Sequence, residues 1–237
     1  MRECGMLLPV ASLPSRYGIG AFSKEAYDFI DTLKAAGQSF WQILPLGPTG
    51  FGDSPYQSFS AFAGNPYFID LEKLAEEGLL TREECLDADF GNDERDIDYK
   101  KIYAGRFPLL RKAYERWKEG RSPELVHELA GRKLGDETRE YCFYMAVKNH
   151  FDSCSWNLWD EGIRLRKPEA LESYRAMLTD EIGFYEFQQI KFEEQWDALK
   201  RYAHEQGIRI IGDIPIYVAF DSADSWSRPE LFQCDVN

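Results

Sequence analysis

Asp221 and Asp224 stand three residues apart in the run FDSADSW, which raises the question of a paired-carboxylate site. A retaining pair needs carboxyl groups about 5–5.5 Å apart. The simpler reading is that Asp221 or Ser222 caps a short helix with Trp226 packed beneath it, and neither carboxylate is nominated as catalytic. Asp213 follows Gly212 inside an apolar run, where a carboxylate is costly unless paired or hydrogen-bonded. At the C-terminal end of a barrel strand it would face an active site; as a structural residue it would cap the strand-end loop. The third candidate is residues 47–70, GPTGFGDSPYQSFSAFAGNPYFID, dense in Gly, Pro, Ser and aromatic residues. Such a loop is held in one shape, and it can present the Ser54 hydroxyl and the Tyr56 ring to a sugar. The same composition also suits a loop packed against helices, its aromatics forming a small satellite core. The chain holds no P-loop, no G-x-G-x-x-G and no visible Ser-His-Asp arrangement.

Two buried strands are expected to carry these residues: 39–46 (SFWQILPL) and 208–218 (IRIIGDIPIYV). Near-continuous apolar runs suit a parallel sheet covered on both faces. Each follows an amphipathic helix. In the first, Ser23 is the expected N-cap, Ala26, Phe29, Ile30 and Leu33 share a face, and Gly37 ends the helix. In the second, Tyr185, Phe192, Trp196, Leu199 and Ala203 recur at helical spacing before Gly207. Helix, glycine, apolar strand and loop make the αβ step of an α/β fold. Residues 71–178 read as helical almost throughout. Tyr103, Phe107, Leu110, Tyr114 and Trp117 form one stripe, in which Pro108 is expected to kink the helix or begin a second one. The acidic stretch 87–98 reads as a solvated loop.

Composition bounds the function. Of 237 residues, 44% are hydrophobic and 15% aromatic, enough for a packed core. Acidic residues outnumber basic ones 41 to 28, for a net charge of −13, which argues against nucleic acid as a partner. The basic run Arg164 to Lys167 is too short to reverse that. Cys4, Cys85, Cys142, Cys154 and Cys234 form no C-x-x-C pair, and His127, His150 and His204 show no ligand spacing, so no disulfide framework and no metal are expected. No leader pattern or membrane span is read, and a cytoplasmic protein without a membrane partner is expected.

The run 52–67, GDSPYQSFSAFAGNPY, resembles the signature of the amylomaltases, the 4-α-glucanotransferases also called disproportionating enzymes. The opening 5–20, with its LPSRYGIG, is similar to that family as well. So are MAVKNHFDSCSW (145–156), like the family's helical insertion, and 208–232, like its third-strand block. The resemblance implies an α/β fold: the N-terminal part of a (β/α)8 TIM barrel, incomplete in this chain, with a large, mostly helical insertion. The expected segments are 1–70 (first part of the barrel and the sugar-facing loop), 71–180 (insertion) and 181–237 (barrel helix, third-strand block and following loop).

The resemblance further implies transfer of α-1,4-glucan segments between malto-oligosaccharides by retaining chemistry, without a cofactor. Ser54 and Tyr56 would contact sugar near the cleavage site, and Asp213 would bind or orient a donor glucose. Phe51 stands where many relatives carry Tyr at a secondary glucan site, so ring stacking would remain without the hydroxyl. The family's Arg-x-Asp-His nucleophile block and its acid/base Glu do not occur here, which places them beyond Asn237. The chain alone is therefore expected to be inactive, with the C-terminal half of the barrel as its missing partner. Half a barrel would expose a sheet edge and an apolar inner face, so poor stability in isolation is expected. A stand-alone malto-oligosaccharide-binding protein and a non-binding remnant are the alternative readings.

Overall fold

Helices α1 (Lys24–Ala35) and α9 (Thr179–Glu205) each feed a short strand of one parallel sheet. The computed structural model describes residues 3–50, 52–91, 93 and 96–233. In chain order the elements are β1 (Gly5–Leu7), α1, β2 (Phe40–Gln42), α2 (Leu71–Glu76), α3 (Arg82–Leu86), α4 (Tyr99–Lys118), α5 (Pro123–Lys133) and α6 (Asp136–His150). Then follow α7 (Glu161–Arg164), α8 (Pro168–Met177), α9, β3 (Arg209–Ile211) and α10 (Ala223–Ser227). The chain divides into two compact units. The first takes the described residues of Met1–Leu46, Asn65–Glu119 and Lys191–Ile214; the second takes those of Gly47–Gly64, Gly120–Ile190 and Pro215–Asn237. The stretch 71–180 is thus shared between the units.

The first unit is built on a three-stranded sheet, order β1-β2-β3, all parallel, with Gly5 opposite Phe40 and Phe40 opposite Arg209. Trp41 of β2 is fully buried, and its Nε1 donates to the Leu8 carbonyl at 2.8 Å. Phe29 of α1 meets the Trp41 ring edge-on at 5.2 Å, and Ala26, Ile30 and Leu33 are buried beside it. Both helices end on a glycine in the left-handed region, Gly37 at φ 69° and Gly207 at φ 80°, before the chain turns into a strand. Ser23 occupies the N-cap position of α1 without capping it; its hydroxyl donates to the Glu25 carboxylate instead. Phe22 gathers Phe192 and Trp196 of α9 at 5.1 and 5.4 Å.

Four expectations need correction. The strands are three residues long, not eight and eleven. Beyond Ile211 the chain reaches Pro215, which has no N–H for a ladder, and Ile214, Ile216 and Tyr217 are each at least 79% exposed. Asp213 therefore lies past its strand rather than within it. Strand β1 falls in a segment read only as a signature run, its three residues being exposed and too few for a periodic pattern. Helix α4 runs on through Pro108, so no second helix begins there; Pro108 and Ala104, four residues before it, are both exposed, which lets water serve the carbonyl that loses its donor. Its buried stripe is Ile102, Arg106, Leu109, Leu110, Ala113 and Tyr114, whereas Tyr103 is 57% exposed.

The second unit is helical among its described residues. In α6, Tyr141 to Tyr144 are buried in succession, followed by Ala146 and Val147, so the helix is enclosed on several sides. Trp226 of α10 sits among Trp159, Phe143 and Tyr144, with ring centroids 5.4, 5.8 and 5.9 Å away. Phe51 and Cys234 lie outside the described residues.

One ion pair in the first unit gives a pH test. Glu84 closes a capping box with Thr81 at the start of α3, and Arg116 of α4 grips both its oxygens at 2.7 Å. That guanidinium, with the Thr81 N–H, holds the Glu84 carboxyl well below the usual range. A depressed folded-state pKa stabilises above the ordinary value and is lost as pH falls through the folded one. Glu84→Gln should lower stability at pH 7 by about 1 kcal/mol, and thermal melts should show the gap closing once the pH falls below the ordinary carboxylate range.

Candidate functional site

The loop Gly47–Gly64 of the second unit is pinned at its base and presents its tip. Thr49 and Ser58 form an antiparallel bridge, Gly50 N–H donates to Gln57 O at 2.9 Å, and Phe59 N–H to Pro48 O at 3.1 Å. The buried Ser58 hydroxyl lies between the carbonyls of Pro48 (2.9 Å) and Ser60 (2.6 Å). At the tip, Asp53 takes φ 54°, a left-handed conformation that short polar side chains tolerate. Tyr56 N–H donates to Ser54 Oγ at 3.3 Å, and Gln57 N–H to Ser54 O at 3.1 Å. Ser54 is half-buried, while Tyr56 is 44% exposed. A hydroxyl and an aromatic ring thus stand together on a fixed turn.

The two carboxylates of FDSADSW serve different networks within the same unit. Asp221 Oδ2 accepts from Lys148 Nζ at 2.6 Å, and its Oδ1 from Tyr144 Oη at 2.6 Å. Lys148, only 5% exposed at its side chain, also donates to Cys154 O at 3.1 Å and lies 5.3 Å from the centre of the Phe59 ring. Burial, reinforced by Asp221, pushes the Tyr144 hydroxyl far above the ordinary tyrosine range. Asp224 Oδ2 accepts from Ala61 N–H at 2.8 Å, and Ala223 N–H donates to Phe59 O at 2.8 Å, so the start of α10 clasps the loop. Burial raises the Asp224 carboxyl, with the Ala61 N–H pulling the other way. Ser222 caps α10 by accepting from Ser225 N–H at 3.2 Å, and Trp226 is 1% exposed, as the helix-cap reading expected.

A groove of about 630 Å³ adjoins this clasp, walled by Phe62, Glu140, Arg166, Asp224, Arg228 and Phe232. Its exposed aromatic Phe62 beside carboxylates and guanidinium groups is a combination suited to polyol ligands. Asp213 belongs to the first unit, just past β3, half-buried, with Oδ1 accepting from Ile214 N–H at 2.9 Å. The buried strand carboxylate expected from sequence is thus a half-buried one at the strand's exit. The sequence-predicted residues are divided between the units, Asp213 in the first, Ser54 and Tyr56 in the second. Sequence reasoning missed Lys148, Tyr144 and Phe62. A lysine inside a helix apolar on several sides was the signal for the first of these.

Asp221→Ala leaves the buried Lys148 ammonium without its counter-charge. It should cost about 3 kcal/mol in urea unfolding, near the low end for a broken buried pair because Asp221 is 33% exposed. Adding Lys148→Met should recover part of that loss.

With this geometry in place, comparison with known proteins identifies the relatives. The family profile described as 4-alpha-glucanotransferase matches residues 8–237. The 4-alpha-glucanotransferase of Streptococcus pneumoniae serotype 4 is 48% identical over 237 residues, 100% of this chain and 47% of the relative. That of Thermus thermophilus is 46% identical, over 99% of this chain and 46% of the relative. The solved structure of the amylomaltase from Streptococcus agalactiae in complex with acarbose superimposes with a TM-score of 0.93 at 42% identity, covering 99% of this chain and 48% of the other. The chain spans about half the length of the curated relatives it matches, and it belongs to the 4-alpha-glucanotransferase family.

Proposed function

We propose that this chain supplies the sugar-binding, amino-terminal portion of a cytoplasmic 4-α-glucanotransferase, which moves α-1,4-glucan segments between malto-oligosaccharides. The observation that carries the reading is the pinned loop with Ser54 and Tyr56 at its tip, in a chain whose family match runs from residue 8 to residue 237. The Tyr56 ring offers a platform for a sugar's C–H face, and the Ser54 hydroxyl offers a hydrogen bond to its rim. Asp213, leaving the sheet at the C-terminal end of β3, orients a donor glucose, as expected where barrel strands end. The three parallel strands are read as the start of a (β/α)8 barrel.

The chemistry assigned to the whole enzyme is double displacement. One carboxylate attacks the anomeric carbon while a carboxylic acid protonates the departing glycosidic oxygen, giving a covalent glucosyl-enzyme. The 4-hydroxyl of an acceptor sugar then attacks that carbon, gives its proton to the second carboxylate and frees the first. Asp221 and Asp224 already hold α10 and the loop, so the two reacting carboxylates are assigned to the part of the relatives that this chain does not span. This chain by itself is then inactive.

The test is glucose release from maltotriose, measured for the 237-residue chain and for a version extended to the relatives' length. No glucose from the first and steady release by the second is the expected result. In the extended enzyme, Tyr56→Ala should reduce kcat/KM about tenfold, the loss of about 1.4 kcal/mol of stacking. Glucose from the short chain would overturn the assignment and make Asp213, Asp221 and Asp224 the first residues to substitute. Acarbose, bound by the Streptococcus agalactiae amylomaltase, serves as the probe of binding without turnover.

A further inference from the structure

A second cavity, of about 560 Å³, lies wholly within the first unit and shares no residue with the loop or its groove. Its wall carries five cations, Arg16, Lys24, Lys73, Arg82 and Arg106, beside four carboxylates, those of Glu25, Asp70, Glu72 and Glu76. Most of that charge is matched. Glu72 accepts from the Tyr17 hydroxyl at 2.6 Å and pairs with Arg82 at 3.2 Å and Arg16 at 3.7 Å. Lys24 pairs with Asp28.

Two of the cations make no ion pair among the described residues. Lys73 Nζ has only neutral partners, the Phe22 carbonyl at 3.0 Å and the Tyr27 hydroxyl at 3.1 Å, with no carboxylate in ion-pair range among the described residues. Arg106 is fully buried and donates from Nη2 to the Ile69 carbonyl. Its Nε and Nη1 have no hydrogen-bond partner. Unpaired buried donors on a charged group are costly, and natural proteins rarely leave them so. Asp70, buried on the same wall, spends Oδ1 on the Glu72 N–H at 3.1 Å; it makes no ion pair with Arg106 or Lys73, although its charge acts on both.

We propose that this cavity binds a phosphate group, whose charge the Lys73 ammonium and the Arg106 guanidinium together balance. Phosphate suits an ammonium without an ion-pair partner and a guanidinium with two unpaired donors, and such groups are its usual partners. The Tyr27 hydroxyl, already beside Lys73, supplies a further donor. The volume exceeds what a phosphate alone fills and falls in the range of small-molecule sites, so a phosphorylated sugar fits as well as the free ion.

Isothermal titration of the 237-residue chain with inorganic phosphate and with glucose 6-phosphate, against potassium chloride of equal ionic strength, tests this. Saturable one-to-one binding is expected for at least one of the two. Tighter binding of the ester identifies a phosphorylated sugar as the ligand, and equal or weaker binding identifies the free ion. Lys73→Gln should weaken the affinity tenfold or more, while Lys73→Arg largely retains it. Arg106→Gln should do the same as Lys73→Gln; where that variant fails to fold, the Lys73 pair decides. No saturable binding of either probe, or an affinity unchanged in a folded Lys73→Gln protein, overturns the proposal.

Discussion

Lys148 is almost wholly removed from water, and a buried ammonium is tolerable only with an anion beside it. Asp221 is that anion, and its position decides where the segment before α10 must run. Phe220, one residue earlier, accepts the Trp156 indole N–H at 2.7 Å, and Trp226, five residues later, enters the aromatic cluster of α6. Once α10 is seated, its main-chain N–H at Ala223 and the Asp224 carboxylate both bond the loop at Phe59 and Ala61. One electrostatic requirement is thereby converted into the placement of the tip that carries Ser54 and Tyr56. An apolar pair could supply the same burial energy without this directionality, since hydrophobic contact does not specify register.

The long helix α9 solves a related problem with amides. Within the second unit, Gln189 accepts the Gly64 N–H at 2.7 Å and donates to the Gly64 carbonyl at 2.9 Å. Within the first, Gln195 does the same for Asp70, at 2.6 and 3.3 Å. A carboxamide carries the complement of a peptide group, so each glutamine satisfies both halves of a backbone unit that has no strand partner. Buried irregular chain would otherwise strand those groups at about 1–3 kcal/mol each.

How much of this was legible follows from the range of the signals. Patterns set by near neighbours read correctly: α1 and α9 from their apolar spacing and the glycines that end them, and a cap at Asp221 or Ser222, of which the structure uses Ser222. Features set by distant partners did not. The extent of a strand depends on whether a neighbour continues beside it, so 39–46 and 208–218 were apolar enough for long strands yet pair over three residues each. The α4 stripe was drawn through the aromatics, whereas burial chose Ile102 and Arg106 on the adjoining face. Lys148 was invisible as an ion-pair partner because Asp221 lies 73 residues away. Ser54, Tyr56 and Asp213 were singled out by resemblance and by the composition of their segments, not by any periodic pattern.

The division of labour among the carboxylates narrows the chemistry. A nucleophile must turn one carboxylate oxygen to the anomeric carbon, and an acid/base group must exchange a proton with the leaving oxygen. Asp221 is held by an ammonium and a phenol, Asp224 by the Ala61 N–H, and releasing either would detach α10 from its support. Their spacing in sequence invites a catalytic reading that their bonding refuses. Asp213 stands elsewhere, half-buried just past β3 in the first unit, with Oδ1 accepting the adjacent Ile214 N–H. It takes no part in the bonds that clasp α10 to the loop. Asp221 and Asp224 thus stand on the side of architecture.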